Sequence, residues 1–135
     1  MSGRLAFSAA AFLALATPAV SFEGETLQRL QAGARSAFAL ATDPAGHVGK
    51  QVTFTCLMTH SNIDTVICPV FNEAGAGVGG FPLWIREQPS EVRRRAANQC
   101  TDQAMPPACA AIVTAKLGQG VGLVFSDVRV EFVQP

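Results

Sequence analysis

Four cysteines are the residues whose type and spacing could do chemistry in this chain. Free thiolates bind metal ions or exchange disulfides, whereas oxidised pairs crosslink a fold. Redox catalysis usually relies on two thiols as close as those of a C-x-x-C motif, and no two cysteines here lie that close. The spacing therefore favours structural disulfides over redox catalysis. The four residues are Cys56, Cys68, Cys100 and Cys109.

Zinc binding is the other chemistry that these residues could support. Cys56, His60 and Cys68 are ligand types that zinc uses. Structural zinc sites usually contain closely spaced cysteine pairs, and this segment has none. We therefore expect no metal site and no cofactor.

A hairpin argument predicts how the cysteines pair. Residue 62 lies midway between Cys56 and Cys68, inside a polar segment at residues 61–64 that is typical of a turn. Residues that face each other in an antiparallel hairpin have Cα atoms about 4.5 or 5.5 Å apart, within the usual disulfide range of about 4.4–6.8 Å. We predict a Cys56–Cys68 bridge across this hairpin and a Cys100–Cys109 bridge at the end of a helix.

Three other motifs do not predict a catalytic site. The segment 72–80 contains G-x-G-x-x-G, but a strand pattern follows it instead of the helix that a dinucleotide site requires. We interpret this segment as a flexible connector. The run Arg93–Arg95 spreads over about 200° of a helix and is interpreted as a solvated face. His47 and His60 have no motif-linked serine, so we predict no catalytic residue.

The first 21 residues resemble a secretory signal peptide. Arg4 precedes an apolar run at residues 5–16, Pro18 follows, and residues 19–21 read Ala-Val-Ser. A charged start, an apolar core and small residues at the end are the layout of a cleaved export signal. We expect cleavage after Ser21, a periplasmic or secreted mature protein, and no stable membrane span after cleavage.

Composition limits the partners that the chain can bind through charge. The formal net charge is +0, and removal of Arg4 with the signal leaves the mature chain slightly acidic. There is no tyrosine and only one tryptophan. Nucleic acids and anionic membranes are bound largely through clustered positive charge. The composition therefore argues against both as partners.

The remaining sequence predicts one mainly β domain with helices. Apolar residues at three- and four-residue steps predict a helix over residues 26–41. Its predicted stripe is Leu27, Leu30, Ala34, Ala37, Phe38 and Ala41. Beyond residue 49 the apolar period changes to two, which is typical of strands. A second helix begins at Ser90, which we expect to act as its N-cap. The predicted strands are residues 51–58, 65–71, 81–86, 109–116 and 123–132.

The strand order and three local phrases resemble an OB domain, closest to the tRNA-anticodon-like OB domains of exported bacterial proteins. The phrases are residues 48–55 (VGKQVTFT), 111–117 (AIVTAKL) and 128–132 (VRVEF). The resemblance covers about residues 47–133. It implies a five-stranded β-β-β-α-β-β barrel with its helix between the third and fourth strands. We therefore divide the chain into a signal at 1–21, an N-terminal helix at 22–45 and an OB-like barrel at 46–135.

OB domains bind single-stranded nucleic acid, oligosaccharide or protein, and their second and third strands form the ligand face. Trp84 lies in the third predicted strand, where core packing is the ordinary role of a tryptophan; if it points outward it is the best single anchor for a ligand, and Arg86 would share its face. We expect Trp84 and Arg86 to contact a ligand, together with Asn62 and Gln119 from flanking loops. The leading hypothesis is a non-enzymatic module that binds an envelope protein or glycan. The alternatives are a single-stranded nucleic-acid-binding domain and a small metal-dependent enzyme.

Overall fold

The computed structural model describes residue 22 and residues 24–101 and 105–134. The expected signal peptide at residues 1–21 lies outside this part of the chain. The described residues form a mixed α/β structure with two α-helices and six strands in two three-stranded sheets. None of the described helices is long and apolar enough to cross a membrane.

Along the chain the order of the elements is one helix, four strands, a second helix and two strands. Helix α1 spans Gly24–Thr42 and helix α2 spans Ser90–Gln99. Short 3-10 turns occur at Pro44–His47 and Pro107–Cys109. The strands are β1 (Gln51–Leu57), β2 (Thr59–Asn62), β3 (Thr65–Phe71), β4 (Gly77–Trp84), β5 (Ala110–Leu117) and β6 (Phe125–Phe132).

Both sheets are antiparallel, with the orders β1-β5-β6 and β2-β3-β4. The first predicted strand, residues 51–58, corresponds to β1, whereas the next strand, β2 at Thr59–Asn62, was not predicted and belongs to the other sheet. The two strands are separated at Met58, which is fully buried and whose N–H donates to the carbonyl oxygen of Cys109 at 2.9 Å. Within the described residues β4 does not pair with β6, so the sheets do not close into a barrel. The expected five-stranded barrel is therefore not confirmed.

An aromatic cluster fills the space between the two sheets. The ring of Phe54 on β1 lies 5.4 Å from that of Phe81 on β4 and 5.2 Å from that of Phe125 on β6. The rings of Phe81 and Phe125 are 5.7 Å apart. Aromatic rings at these separations attract each other in tilted and edge-to-face arrangements. The cluster therefore ties together three strands from both sheets.

Helix α1 packs directly on β1 through a glycine. A Cβ atom at Gly33 would lie 2.1 Å from the hydroxyl oxygen of Thr55 and 2.6 Å from its backbone nitrogen. Thr55 is buried, although the alternating pattern predicts an exposed position for it. The buried stripe of the helix is Leu30, Gly33, Ala37 and Leu40, while Ala41 is exposed. The predicted helix is thus present, but its buried stripe differs from the prediction. Gly33 and Leu40 belong to the stripe although they were not predicted, and Ala41, which was predicted, is exposed.

The start of β4 and the N-cap of α2 differ from the sequence-based expectation. Strand β4 begins at Gly77, so the flexible connector predicted for residues 72–80 is wrong for its last four residues. The Asn72 side chain organises the preceding turn, since its Oδ1 accepts hydrogen bonds from the N–H groups of Ala74 and Ala76, each at 2.9 Å. Helix α2 has Pro89 at its N-cap and no side-chain cap hydrogen bond, so the N-cap role predicted for Ser90 is wrong.

The structure contains the Cys56–Cys68 and Cys100–Cys109 disulfides, and all four cysteines are buried. The hairpin is not symmetric about residue 62, because a bulge shifts the register and the turn lies at residues 63–64. Cys56 instead pairs with Ala111 of β5. It reaches Cys68 across the gap between the sheets, with a Cα–Cα distance of 4.7 Å.

Candidate functional site

The second sheet has one face in the core and one face outside it. On β3 and β4 the inward residues, such as Val66 and Leu83, are completely buried. Their neighbours point the other way, because successive side chains of a strand alternate between the two faces. We call this outer surface the Trp84 face. It consists of Thr59, Ile67, Pro69, Gly80, Pro82 and Trp84.

Trp84 is the most prominent residue of this face. It ends β4 opposite Thr65, and the residue is 62% exposed. The row beside it is apolar, since Ile67 pairs with Pro82. Tryptophan is enriched among the residues that dominate binding energy at interfaces. The strand register therefore presents an indole ring at the end of an apolar strip.

A tight turn extends the Trp84 face at the same end of the sheet. The β2–β3 turn contains Ile63, which is 68% exposed. The N–H of Ile85 donates to the carbonyl oxygen of Asp64 at 2.8 Å, so this turn adjoins the end of β4. Two exposed apolar side chains, Ile63 and Trp84, consequently lie on adjoining segments.

The polar residues predicted as contacts are only partly brought together. Arg86 donates from Nη2 to the Asp64 carboxylate at 3.0 Å, which holds it beside the turn. Asn62 accepts the N–H of Asp64 on its Oδ1 at 2.9 Å and so stabilises the turn. Gln119 lies in the loop between β5 and β6 of the other sheet and makes no hydrogen bond to Asn62, Asp64 or Arg86. The geometry thus groups Asn62, Arg86 and Trp84, and leaves Gln119 apart.

Gly80 shapes the middle of the Trp84 face. A Cβ there would lie 3.0 Å from Cγ2 of Ile67 and 3.1 Å from the carbonyl oxygen of Cys68. Both distances are shorter than ordinary van der Waals contacts, so a side chain at this position would have to displace its neighbours. Because Gly80 has no side chain, no atoms project from the face at this position, and the adjacent residues Ile67 and Pro69 are half-buried.

Sequence reasoning missed Ile63, Ile67 and Pro82 as members of the site. A signal was present, because residues 65–71 are apolar at nearly every position instead of every second one. A strand of a sheet with one solvated face normally alternates apolar and polar residues. An uninterrupted apolar strand indicates that its outer face is covered or binds something.

The cysteines cannot serve as the zinc ligands considered above. Cys56 and Cys68 are bonded to each other, so neither provides the thiolate that zinc binds. His60 lies on β2, and its Nε2 is buried without a hydrogen-bond partner among the described residues. That part of the chain holds no group of three His, Cys, Asp or Glu residues arranged around a metal position.

The arginine run consists of an exposed residue, Arg94, between two half-buried ones, Arg93 and Arg95. The Arg95 guanidinium lies 4.2 Å from the centre of the Phe132 ring and donates to the carbonyl oxygens of Ala108, at 3.0 Å, and Gln134. Arg94 is exposed. The solvated-face interpretation is therefore wrong for Arg95, which connects α2 to the end of β6.

Comparisons with protein-family models, with curated proteins and with solved structures found no match for this chain. The resemblance to OB domains accordingly stays a prediction from sequence.

Proposed function

We propose that this chain is an exported, non-enzymatic binding module that contacts an envelope protein or glycan through the Trp84 face. The observation that supports it is the 62% exposure of Trp84 at the end of the apolar row formed by Ile67 and Pro82. Large exposed apolar side chains on one patch favour association, because covering them removes apolar area from water.

An OB-like architecture is part of the proposal. Strands β1 and β2, taken as one bent strand, would correspond to the first OB strand, which contributes to both halves of the barrel. The strands β3, β4, β5 and β6 would be the second to fifth, and α2 occupies the place of the OB helix. OB barrels are partly open, which is compatible with the unpaired edges of β4 and β6. In this correspondence the Trp84 face is the surface formed by the second and third OB strands.

Export through the signal at residues 1–21 is also proposed. Disulfides persist in oxidising compartments such as the periplasm and are rare in the cytosol. The two buried disulfides are compatible with such a compartment.

The chemistry of the Trp84 face favours a protein or glycan partner over nucleic acid. Trp84 and Arg86 are of the residue types most enriched among binding hot spots. The one cation of the patch, Arg86, is already paired with Asp64. Single-stranded nucleic acid is bound through a positively charged groove with several stacking aromatics, whereas this face has one indole and no unpaired cation among the described residues.

Fluorescence of the single tryptophan tests the proposal. The purified mature protein is titrated with envelope glycan fragments and, separately, with a solubilised envelope protein fraction, in which case Trp84 is replaced by 5-hydroxytryptophan so that its emission can be excited apart from the tryptophans of the fraction. We expect one of them to produce a saturable blue shift, because a partner that covers Trp84 removes water from the indole. A variant with Ile67→Asp should lose this shift. An emission spectrum that stays unchanged in both titrations would contradict the proposed function.

A further inference from the structure

A second surface feature lies in the other sheet, on the face opposite the aromatic cluster. It is a groove of about 590 Å³, a volume within the range of small-molecule sites. The groove is formed where β1 begins, β5 ends and β6 begins. Its lining includes Gly49, Gln51, Lys116, Asp127, Val128 and Arg129.

A β-bulge aims Asp127 at this groove. Thr114 pairs with Arg129 and Lys116 pairs with Ser126, so Ala115 alone faces the two residues Asp127 and Val128. Asp127 has φ 53°, a left-handed conformation that this type of bulge normally assigns to glycine. Aspartate tolerates this conformation better than most residues. Bulges next to binding sites commonly serve to redirect a side chain.

A hydrogen bond from the segment before α2 stabilises the bulge. The carbonyl oxygen of Val128, which a regular ladder would leave on the sheet edge, accepts a hydrogen bond from Nε2 of Gln88 at 2.7 Å. Gln88 comes from the segment that leads into α2. The position of Asp127 is therefore set by a defined contact and not only by the exposed loop beside it.

The polar side chains of the groove have no partners among the described residues. Lys116 and Arg129 have no carboxylate oxygen within ion-pair distance, and Asp127 and Gln51 make no side-chain hydrogen bond. Two cations and one anion give the lining a net charge of +1. This positive charge favours an anion, and the anionic group would lie near Lys116 and Arg129. Asp127 would repel a simple anion unless the ligand also offers a hydrogen-bond donor to it.

From this arrangement we propose that the groove binds a small hydroxylated anion, such as a sugar acid or a sugar phosphate. The anionic group is held by Lys116 and Arg129, and a hydroxyl group donates to the Asp127 carboxylate. The lining contains no aromatic side chain, so recognition depends on charge and hydroxyl groups and not on ring stacking. This site is separate from the Trp84 face and does not depend on the proposed function.

Amide NMR titration of the mature protein tests the proposal with four probes: D-glucuronate, glucose 6-phosphate, inorganic phosphate and glucose. We expect the two sugar anions to shift the amide signals of Gly49, Lys116 and Arg129, and glucose to leave them unchanged. The first two probes distinguish a carboxylate ligand from a phosphate ligand. Absence of shifts with both sugar anions would overturn the proposal.

Variants assign the roles within the groove. Arg129→Gln should weaken binding of the better sugar anion about tenfold, since a hydrogen bond to a charged group is lost. Arg94→Gln, an exposed arginine on α2, is the matched control and should leave the affinity unchanged. Asp127→Gly fits the left-handed backbone, so it should fold normally while weakening the sugar anions more than inorganic phosphate. Equal affinity for phosphate and glucose 6-phosphate, or an unchanged affinity of Arg129→Gln, would show the proposal to be wrong.

Discussion

The hydroxyl of Thr55 donates a hydrogen bond to the carbonyl oxygen of Leu30 at 2.7 Å, within the buried contact between α1 and β1. Threonine in the middle of a strand would normally face water, yet Thr55 is 3% exposed. The hydrogen bond satisfies a hydroxyl that would otherwise be costly to bury. The N-terminal helix is thereby part of the folded domain and not an appendage to it.

Gly33→Ala should destabilise the protein strongly. The added Cβ would lie 2.6 Å from the backbone nitrogen of Thr55, so the helix would have to move away from the strand. Overpacking of this kind costs about 1–3 kcal/mol or more, which exceeds the gain of about 1 kcal/mol in helix propensity on replacing glycine. Urea denaturation of the two proteins measures the difference.

Ala32→Gly is the matched control for that variant, because Ala32 is exposed on the same helix. It should lose only the propensity difference of about 1 kcal/mol. If Gly33→Ala proved as stable as the native protein, the close contact between α1 and β1 would be contradicted.

Removal of each disulfide should destabilise the domain by an amount typical of short loops. The bridges close separations of 12 and 9 residues, for which about 2–4 kcal/mol is expected. The double variants Cys56→Ala/Cys68→Ala and Cys100→Ala/Cys109→Ala test the bridges one at a time by thermal denaturation. Non-reducing peptide mapping of the native protein should recover the same two pairs, and detection of free thiols or of other pairs would contradict the arrangement.

Truncation of Phe81 and of Trp84, which lie on opposite faces of β4, should destabilise the protein to very different extents. Phe81 is 5% exposed and contacts Phe54 and Phe125, so Phe81→Ala should cost about 3–5 kcal/mol. Trp84 is on the other face, and Trp84→Ala should cost less than about 1 kcal/mol. Chemical denaturation of both variants measures the costs. A large loss for Trp84→Ala would mean that this indole is structural and not a binding residue.

Single-stranded nucleic acid should not bind this domain. The chain has a formal net charge of +0, and the Trp84 face offers one indole without a row of cations. We expect no retention of the mature protein on a mixed-sequence oligonucleotide column at low salt. Retention that is lost as salt rises would instead indicate the phosphate contacts of a nucleic-acid-binding domain.

The sequence predicted the type of most elements because their apolar periods are strong. Helix α1 follows a clear three- and four-residue step, and β3 lies at its predicted residues. The division between β1 and β2 at Met58 could not be predicted, since residues 59–62 (THSN) are polar and lack the apolar alternation of a strand. The hydrogen bond from Met58 N–H to Cys109, a contact between segments far apart in sequence, is part of that division.

The candidate site was predictable only in part. Trp84 was selected from its strand, but its orientation depends on pairing with Thr65 and on burial of Leu83 on the opposite face. The contact between Arg86 and Asp64 joins two loops that local patterns do not relate. The left-handed Asp127 has no sequence signature either, because glycine is the residue expected in such a bulge.

Site-specific photo-crosslinking tests the central claim most directly. A photoreactive amino acid replaces Pro82, an exposed residue of the Trp84 face, and in a control protein it replaces Arg94 on α2. Both proteins are irradiated in native envelope, and adducts are identified by mass spectrometry. We predict one specific adduct from position 82 that is absent from position 94 and that Ile67→Asp abolishes. Equal labelling from both positions, or none from position 82 together with no fluorescence response to glycan, would contradict a binding role for the Trp84 face.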